Sequence, residues 1–218
     1  MPRLVFDKTG EKTYETGVSD TVLYVRKDAT SYNNGVAWNG VTALNESPSG
    51  AESTPVYADN IKYLNLTSAE EFAATLEAYT YPEEFEVCDG SAEVAPGVTI
   101  GQQDRKQFAL CYKTKVGNDV EGTEHGYKLH FIYNCQAAPS SKDYQTINGD
   151  PEAMTFSWEI STTPVPVTGH KPTATLVVDS RKVQADKLKE LEDKIYGTES
   201  TEPTIPTVEE VISICTTP

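Results

Sequence analysis

The stretch Tyr127-Lys-Leu-His-Phe-Ile-Tyr-Asn-Cys135 decides the fold class. Tyr127, Leu129, Phe131, Tyr133 and Cys135 share one face of an extended chain. Lys128, His130 and Asn134 share the other, with Ile132 the exception. A period of two residues marks a strand with one dry and one wet face, as antiparallel sheets have. Working outward, Phe108-Ala-Leu-Cys-Tyr-Lys-Thr-Lys-Val116 is a second strand, and the acidic, glycine-rich loop 117–126 joins the two as a hairpin. Met154-Thr-Phe-Ser-Trp-Glu-Ile160 alternates with Met154, Phe156, Trp158 and Ile160 inward, and Ala174-Thr-Leu-Val-Val-Asp179 is the last long strand. Shorter strands are expected at 3–6, 22–26, 61–66 and 85–88. Turns rather than helices join most of these runs, which disfavours a parallel α/β fold. The expected architecture is mainly β: an antiparallel β-sandwich or flattened barrel with one flanking α-helix.

That helix is predicted over 68–80. Ser68-Ala-Glu-Glu71 has the spacing of a capping box, and Ala69, Phe72, Ala73, Leu76 and Tyr79 fall on one helical stripe before Pro82. A second helix is predicted from Ala185 to Tyr196, with Leu188, Leu191 and Ile195 as a narrow docking stripe and Gly197 as its stop. Residues 198–206 hold two prolines and read as an extended linker. Thr207-Val-Glu-Glu210 then opens a short apolar element with a capping-box pattern, whose Val208, Val211 and Ile212 would dock on its own domain or on a neighbour. The expected organisation is a β-domain over 1–180, including an arm at 28–60 and the helix at 68–80, followed by a helical C-terminal extension over 181–218.

The arm is the least ordinary segment. From Ser31 to Asn60 the chain carries Trp38 and no helix pattern. Val36 and Trp38 alternate, Gly40 can supply a bulge, and Val41 resumes the alternation. A loop this long is uncommon in a compact domain unless it is functional or ordered by a partner. Two readings stand: a β-hairpin folded over its own sheet, or an arm that buries against another subunit.

The 218 residues carry a formal net charge of -15, which opposes binding of nucleic acid on a basic face. No charged n-region followed by an apolar h-region opens the chain, so synthesis in the cytosol is expected, and no apolar run approaches the length of a membrane span. Cys88, Cys111, Cys135 and Cys215 are widely spaced, which argues against zinc and for reduced structural thiols. Asn45-Glu-Ser47 and Asn65-Leu-Thr67 match the glycosylation pattern but carry little weight without a secretion signal. His125, His130 and His170 show no paired-ligand spacing, and no nucleophile elbow, phosphate loop or dinucleotide glycine pattern occurs. The pairs Glu70-Glu71, Glu83-Glu84 and Glu209-Glu210 read as solvated acids rather than a glycosidase pair. No enzymatic activity, cofactor or metal is expected.

With these residues in view, the chain resembles the major tail (tail tube) proteins of long-tailed, non-contractile bacteriophages of Gram-positive hosts. The resemblance is carried by Gly35-Val-Ala-Trp-Asn-Gly-Val-Thr-Ala-Leu44, Glu46-Ser-Pro-Ser-Gly-Ala-Glu52 and Pro55-Val-Tyr-Ala-Asp-Asn-Ile-Lys-Tyr-Leu-Asn-Leu66. The run Tyr81-Pro-Glu-Glu-Phe-Glu-Val-Cys-Asp-Gly90 belongs to the same pattern, as do the 68–79 segment and Thr162-Thr-Pro-Val-Pro-Val167 leading to 187–196. It covers nearly the whole chain. Some family members add a C-terminal immunoglobulin-like domain, for which a chain ending at Pro218 leaves no room.

The resemblance implies a β-sandwich that forms hexameric rings stacked into a hollow tube in the virion tail. The tube would surround a tape-measure protein, meet a tail terminator and a distal tail protein, and pass DNA through its lumen without specific binding. It implies an intersubunit arm role for Val36, Trp38, Val41, Leu44, Tyr57, Asp59 and Asn60. Candidate lumen-facing acids, on wet sheet faces, are Glu84, Glu86 and Glu159. Two other readings remain beside it: the inner tube of a contractile injection machine, and a monomeric carbohydrate-binding β-sandwich stacking sugars on Trp38, Trp158 and tyrosines.

Overall fold

The structure, a computed structural model, describes residues 3–147 and 152–216. Its strands are β1 (Thr13–Val25), β2 (Val36–Ala37), β3 (Val41–Glu46), β4 (Ser49–Gly50), β5 (Ser53–Ala58), β6 (Ile61–Thr67) and β7 (Glu70–Glu71). They continue as β8 (Ala73–Ala78), β9 (Ala92–Ala95), β10 (Val98–Ile100), β11 (Phe108–Asn118), β12 (Gly122–Ala137), β13 (Phe156–Thr162) and β14 (Thr175–Asp179). Two helices follow, α1 (Ala185–Tyr196) and α2 (Val208–Thr216). All strand pairing is antiparallel, in the order β2-β1-β11-β12-β13-β8-β3 with β14 also on β12. The protein is mainly β, as the alternation predicts.

Strand β12 organises the sheet. Its first part pairs with β14, from Lys128 against Asp179 to Ile132 against Thr175, and its end pairs with β13, Cys135 against Thr162. Between these partners the register against β11 slips, and Asn134 takes a φ of 49°. The bulge turns the strand over. Leu129, Phe131 and Tyr133 face one core, whereas Ile132, Cys135 and Ala137 face the other. This explains the exception at Ile132 and corrects the expected placement of Cys135 with Tyr127: β12 is dry on both faces where the sheet curls.

The curled sheet brings β3 back beside β1 and encloses one core of Leu23, Leu76, Phe85, Leu110, Trp158 and their neighbours. The second core lies outside the β1–β11–β12–β14 wall and is roofed by the helices through Leu188, Leu191, Ile195, Val208 and Val211. Tyr24 donates to the Ile195 carbonyl at 2.7 Å and Tyr133 to the Pro206 carbonyl at 3.0 Å, tying that roof to the wall. The capping box at α2 forms as its sequence predicts: the Glu210 N–H donates to Thr207 Oγ1 at 3.2 Å and the Thr207 N–H to Glu210 Oε2 at 2.8 Å. Ile212, expected to dock, is instead exposed. Cys88, Cys111 and Cys135 are buried free thiols, and burial pushes the Cys88 thiol up to about 12.

Three of the expected secondary-structure elements do not form. The helix at 68–80 is replaced by β7 and β8. The same residues carry a period of two, with Ala74, Leu76 and Ala78 buried, and β8 pairs on both edges, with β13 and β3. Two full ladders outweigh the helix preference of a short alanine-rich segment. The strand at 85–88 is a 3-10 turn, Glu83–Phe85, started by Pro82 and plugging the enclosed core with Phe85. The segment 3–6, expected as a strand, pairs with no other strand among the described residues.

Candidate assembly surface

Strands β3 to β8 form one long ribbon that leaves the barrel. Its root is β3 on β8, its stem is β4 on β7, and its tip is β5 on β6. From Glu46 to Ala58 an extended chain spans up to about 40 Å. The tip closes with the two-residue turn Asp59-Asn60, whose φ values of 51° and 62° fit a type I′ turn. Asp and Asn tolerate that conformation better than most residues. Tip and stem are separated by a bend at Gly50 and Ala51, with φ of 84° and 55°. A Cβ on Gly50 would sit 2.2 Å from the Ala69 carbonyl oxygen, so glycine alone lets the stem strands close.

The tip has a consistent apolar face. Thr54 pairs with Leu66, Val56 with Leu64 and Ala58 with Ile61, while a bulge opposite Tyr57 absorbs one extra residue of β6. Without that bulge, Ile61 and Leu64 would point to opposite sides. Ile61, Leu64 and Leu66 are all exposed, Leu66 to 60%. A two-stranded hairpin with a bare apolar face is marginal in water.

The residues expected on the arm divide. Tyr57, Asp59 and Asn60 are at its tip. Val41 and Leu44 lie on β3, at the ribbon's root, and Val36 and Trp38 precede it in β2 and the segment that follows; Trp38, Val41 and Leu44 pack in or against the enclosed core. Trp38 is 3% exposed, lies 4.5 Å from the Phe85 ring centroid, and donates Nε1–H to the Thr80 carbonyl at 2.9 Å. Burial in its own barrel satisfies this tryptophan without a partner subunit. The exposed Ile61-x-x-Leu64-x-Leu66 run is the feature sequence reasoning passed over; the Asp-Asn pair between two strand-like runs is the signal that finds it.

At the ribbon's root a polar cluster replaces apolar packing. His130 stacks on Tyr112, with ring centroids 4.6 Å apart, and its Nε2 lies 2.9 Å from Thr114 Oγ1. The Thr114 hydroxyl donates to Glu15 Oε1 at 2.6 Å, and Lys128 pairs with Glu15. Tyr112 donates to Glu46 Oε1, at the end of β3, at 2.6 Å. Burial pushes His130 below its ordinary pKa, outweighing the opposing pull of Glu46 and Glu15. Glu15 is held low because its bonds to Lys128 and Thr114 outweigh its partial burial. Burial, then the Glu46 acceptor, raises the Tyr112 hydroxyl. Through the Tyr112–Glu46 bond the cluster ties the end of β3 to β11.

The candidate lumen acids do not share one surface. Glu84 and Glu86 belong to the turn around Phe85, not to a sheet face, because the strand expected there does not form. Glu159 does lie on a sheet face. It pairs with Thr75, which pairs with Asn45, and the next row is Ser157, Glu77 and Ala43. This outer face of β13–β8–β3 is built of small and acidic side chains, and no helix roofs it.

Among the described residues, no cluster of three or more His, Cys, Asp and Glu side chains is placed to hold a metal ion, and no helix is long and apolar enough to cross a membrane. No family model matches the chain, and no curated protein matches it. Among solved structures, the chain is similar to one in the sixfold-symmetrised electron cryomicroscopy structure of the anti-feeding prophage baseplate, at 6% identity and a TM-score of 0.38, over 80% of this chain and 97% of that one. It is also similar to a chain of the sheath–tube complex of an extracellular contractile injection system, PVC, in its extended state, at 13% identity and a TM-score of 0.31, over 73% of this chain and 88% of that one.

Proposed function

We propose that this protein is a structural, self-assembling component of a phage-type tail tube. One observation carries the reading: a ribbon rooted in a well-packed barrel carries Ile61, Leu64 and Leu66 into solvent on one face, beside the half-buried Val56. A large apolar face on a projecting element marks a protein contact. Its natural site is another copy of the same chain, since a head-to-tail contact repeated by rotation closes a ring. The ring number of six, the stacking of rings, the tape-measure, terminator and distal tail partners, and location in the virion tail come from the family resemblance of the sequence.

In this reading the conduit is lined by the acidic outer face of β13–β8–β3, with Glu159 and Glu77. A lumen of that sign repels phosphates, so DNA passes without sticking. The helix-roofed wall then faces away from the lumen.

The test is negative-stain electron microscopy with light scattering across a concentration series, on the native chain and on Ile61→Asp/Leu66→Asp. Rings or hollow tubes from the native chain, lost in the variant, support the reading. A native chain that stays monomeric at every concentration overturns it.

A further inference from the structure

The unpaired N-terminal run Arg3-Leu-Val-Phe6 points to where the ribbon's missing surface comes from. Leu4 and Phe6 are each 78% exposed, and the chain is first anchored at Gly10, whose N–H donates to Asp119 at 2.9 Å. A run of exposed apolar residues with no partner strand is free to add to an open sheet edge.

The ribbon tip offers one such edge and closes the other. The two-residue turn ends on the Ala58–Ile61 pair, which is therefore hydrogen-bonded across the strands. Alternation makes Val56–Leu64 and Thr54–Leu66 bonded as well, and turns the backbone of Pro55 and Asn65 outward. Proline has no N–H, so the outer edge of β5 is blunted. The outer edge of β6 is open at Asn65 and Thr67. Charge favours the same match. From Glu46 to Glu71 the ribbon carries Glu46, Glu52, Asp59, Glu70 and Glu71 against Lys62 alone, whereas the N-terminal run brings Arg3 and Lys8 against Asp7.

We propose that residues 3–6 of a second copy add to the open edge of β6 as a third strand. Leu4 and Phe6, two residues apart, share one face and extend the apolar face of Ile61, Leu64 and Leu66. Three strands with a continuous apolar face meet the condition for a stable sheet that two do not. This goes beyond the tube reading by naming the segment that engages the arm, and it rests on that reading only for the final assembly.

The test mixes two full-length variants, one carrying Leu4→Cys or Phe6→Cys and the other Leu64→Cys, under mild oxidation. Linked peptides are mapped by mass spectrometry, and the same mixtures are viewed by electron microscopy. A link between position 4 or 6 and position 64 is necessarily between copies and is the expected result. Adding Asn65→Pro to the acceptor removes the outward donor without touching the hairpin's own bonds, and the link should be lost with the circular dichroism unchanged. A link that survives Asn65→Pro, or no link at all, overturns the proposal. Tubes without the link leave the tube reading standing and sink this contact; the link without any tube or ring does the reverse.

Discussion

His130 Nδ1 is buried without a hydrogen-bond partner, 3.9 Å from Glu46 Oε1. Because the Thr114 hydroxyl donates to Glu15, the Nε2 that meets Thr114 Oγ1 must carry the imidazole proton, which leaves a bare Nδ1 lone pair toward a carboxylate. This neutral imidazole at the ribbon's root makes stability depend on pH. The folded pKa of His130 lies below the ordinary 6.5, so the unfolded chain binds a proton that the folded chain refuses. Stability is therefore complete above the ordinary value and declines as pH falls from 6.5 through the lowered folded value. Glu15, also held low, adds a loss in the same direction below 4.5. Thermal melts from about pH 7 to about pH 5 should show the first decline, and His130→Phe, which keeps the stack on Tyr112, should flatten it. An unchanged slope in that variant would mean that another group carries the dependence.

Trp38 and Leu66 should separate folding from assembly. Trp38→Ala removes a ring packed between Phe85 and Trp158 and should cost about 3–5 kcal/mol in urea unfolding. Leu66→Asp lies on the exposed face and should leave monomer stability within about 0.5 kcal/mol while reducing assembly measured by light scattering. A deletion of 36–52 is thus not a clean arm deletion, because it takes Trp38, Val41 and Leu44 out of the core. Removal of 53–67 is the appropriate variant. If Trp38→Ala left stability intact and blocked assembly, the placement of Trp38 would be wrong.

What the sequence made legible follows from period and capping. The strands β12 and β13 could be read because each alternates over several residues, β11 and β14 because each is a short apolar run rich in β-formers, and α1 and α2 because stripe, stop and cap agree. The segment 72–79 could not, because Phe72 and Leu76 satisfy periods of two and of nearly four alike, and the choice is made by partners distant in sequence, β13 and β3. Trp38 was misplaced for the same reason: what buries it, Phe85 and Trp158, is far along the chain. The ribbon tip was hidden by a bulge, which breaks the alternation of 61–66 on paper and restores it in space.

Gly50 controls the stem. Gly50→Ala would force a methyl against the Ala69 carbonyl at a φ that disfavours any side chain. The expected outcome is an intact barrel with unchanged global unfolding, faster amide exchange at 49–50 and 70–71, and weaker assembly. Exchange that stays slow in the variant would show that the stem adapts.

Glu159 and Glu77 are the acids whose reversal tests the conduit. They sit on adjacent antiparallel strands, in the rows Glu159–Thr75 and Ser157–Glu77, and point away from the enclosed core. Opposite charges there would attract phosphates, and each added cation that engages one strengthens binding in a salt-dependent way. Glu159→Lys/Glu77→Lys should therefore assemble as the native chain does, because neither position touches the ribbon tip. Tubes of the variant should retain short duplex DNA at low salt and release it as salt rises, whereas native tubes should retain none. Retention can be read by sedimenting tubes with labelled DNA. Glu84→Lys, on the turn beside Phe85, serves as the control of equal sign away from the β13–β8–β3 face and should not retain DNA. If reversal at Glu159 and Glu77 blocks assembly instead, this face is an interface between copies and the lumen lies elsewhere. If the variant tubes form and retain nothing, this face is not reached by DNA and does not line the conduit.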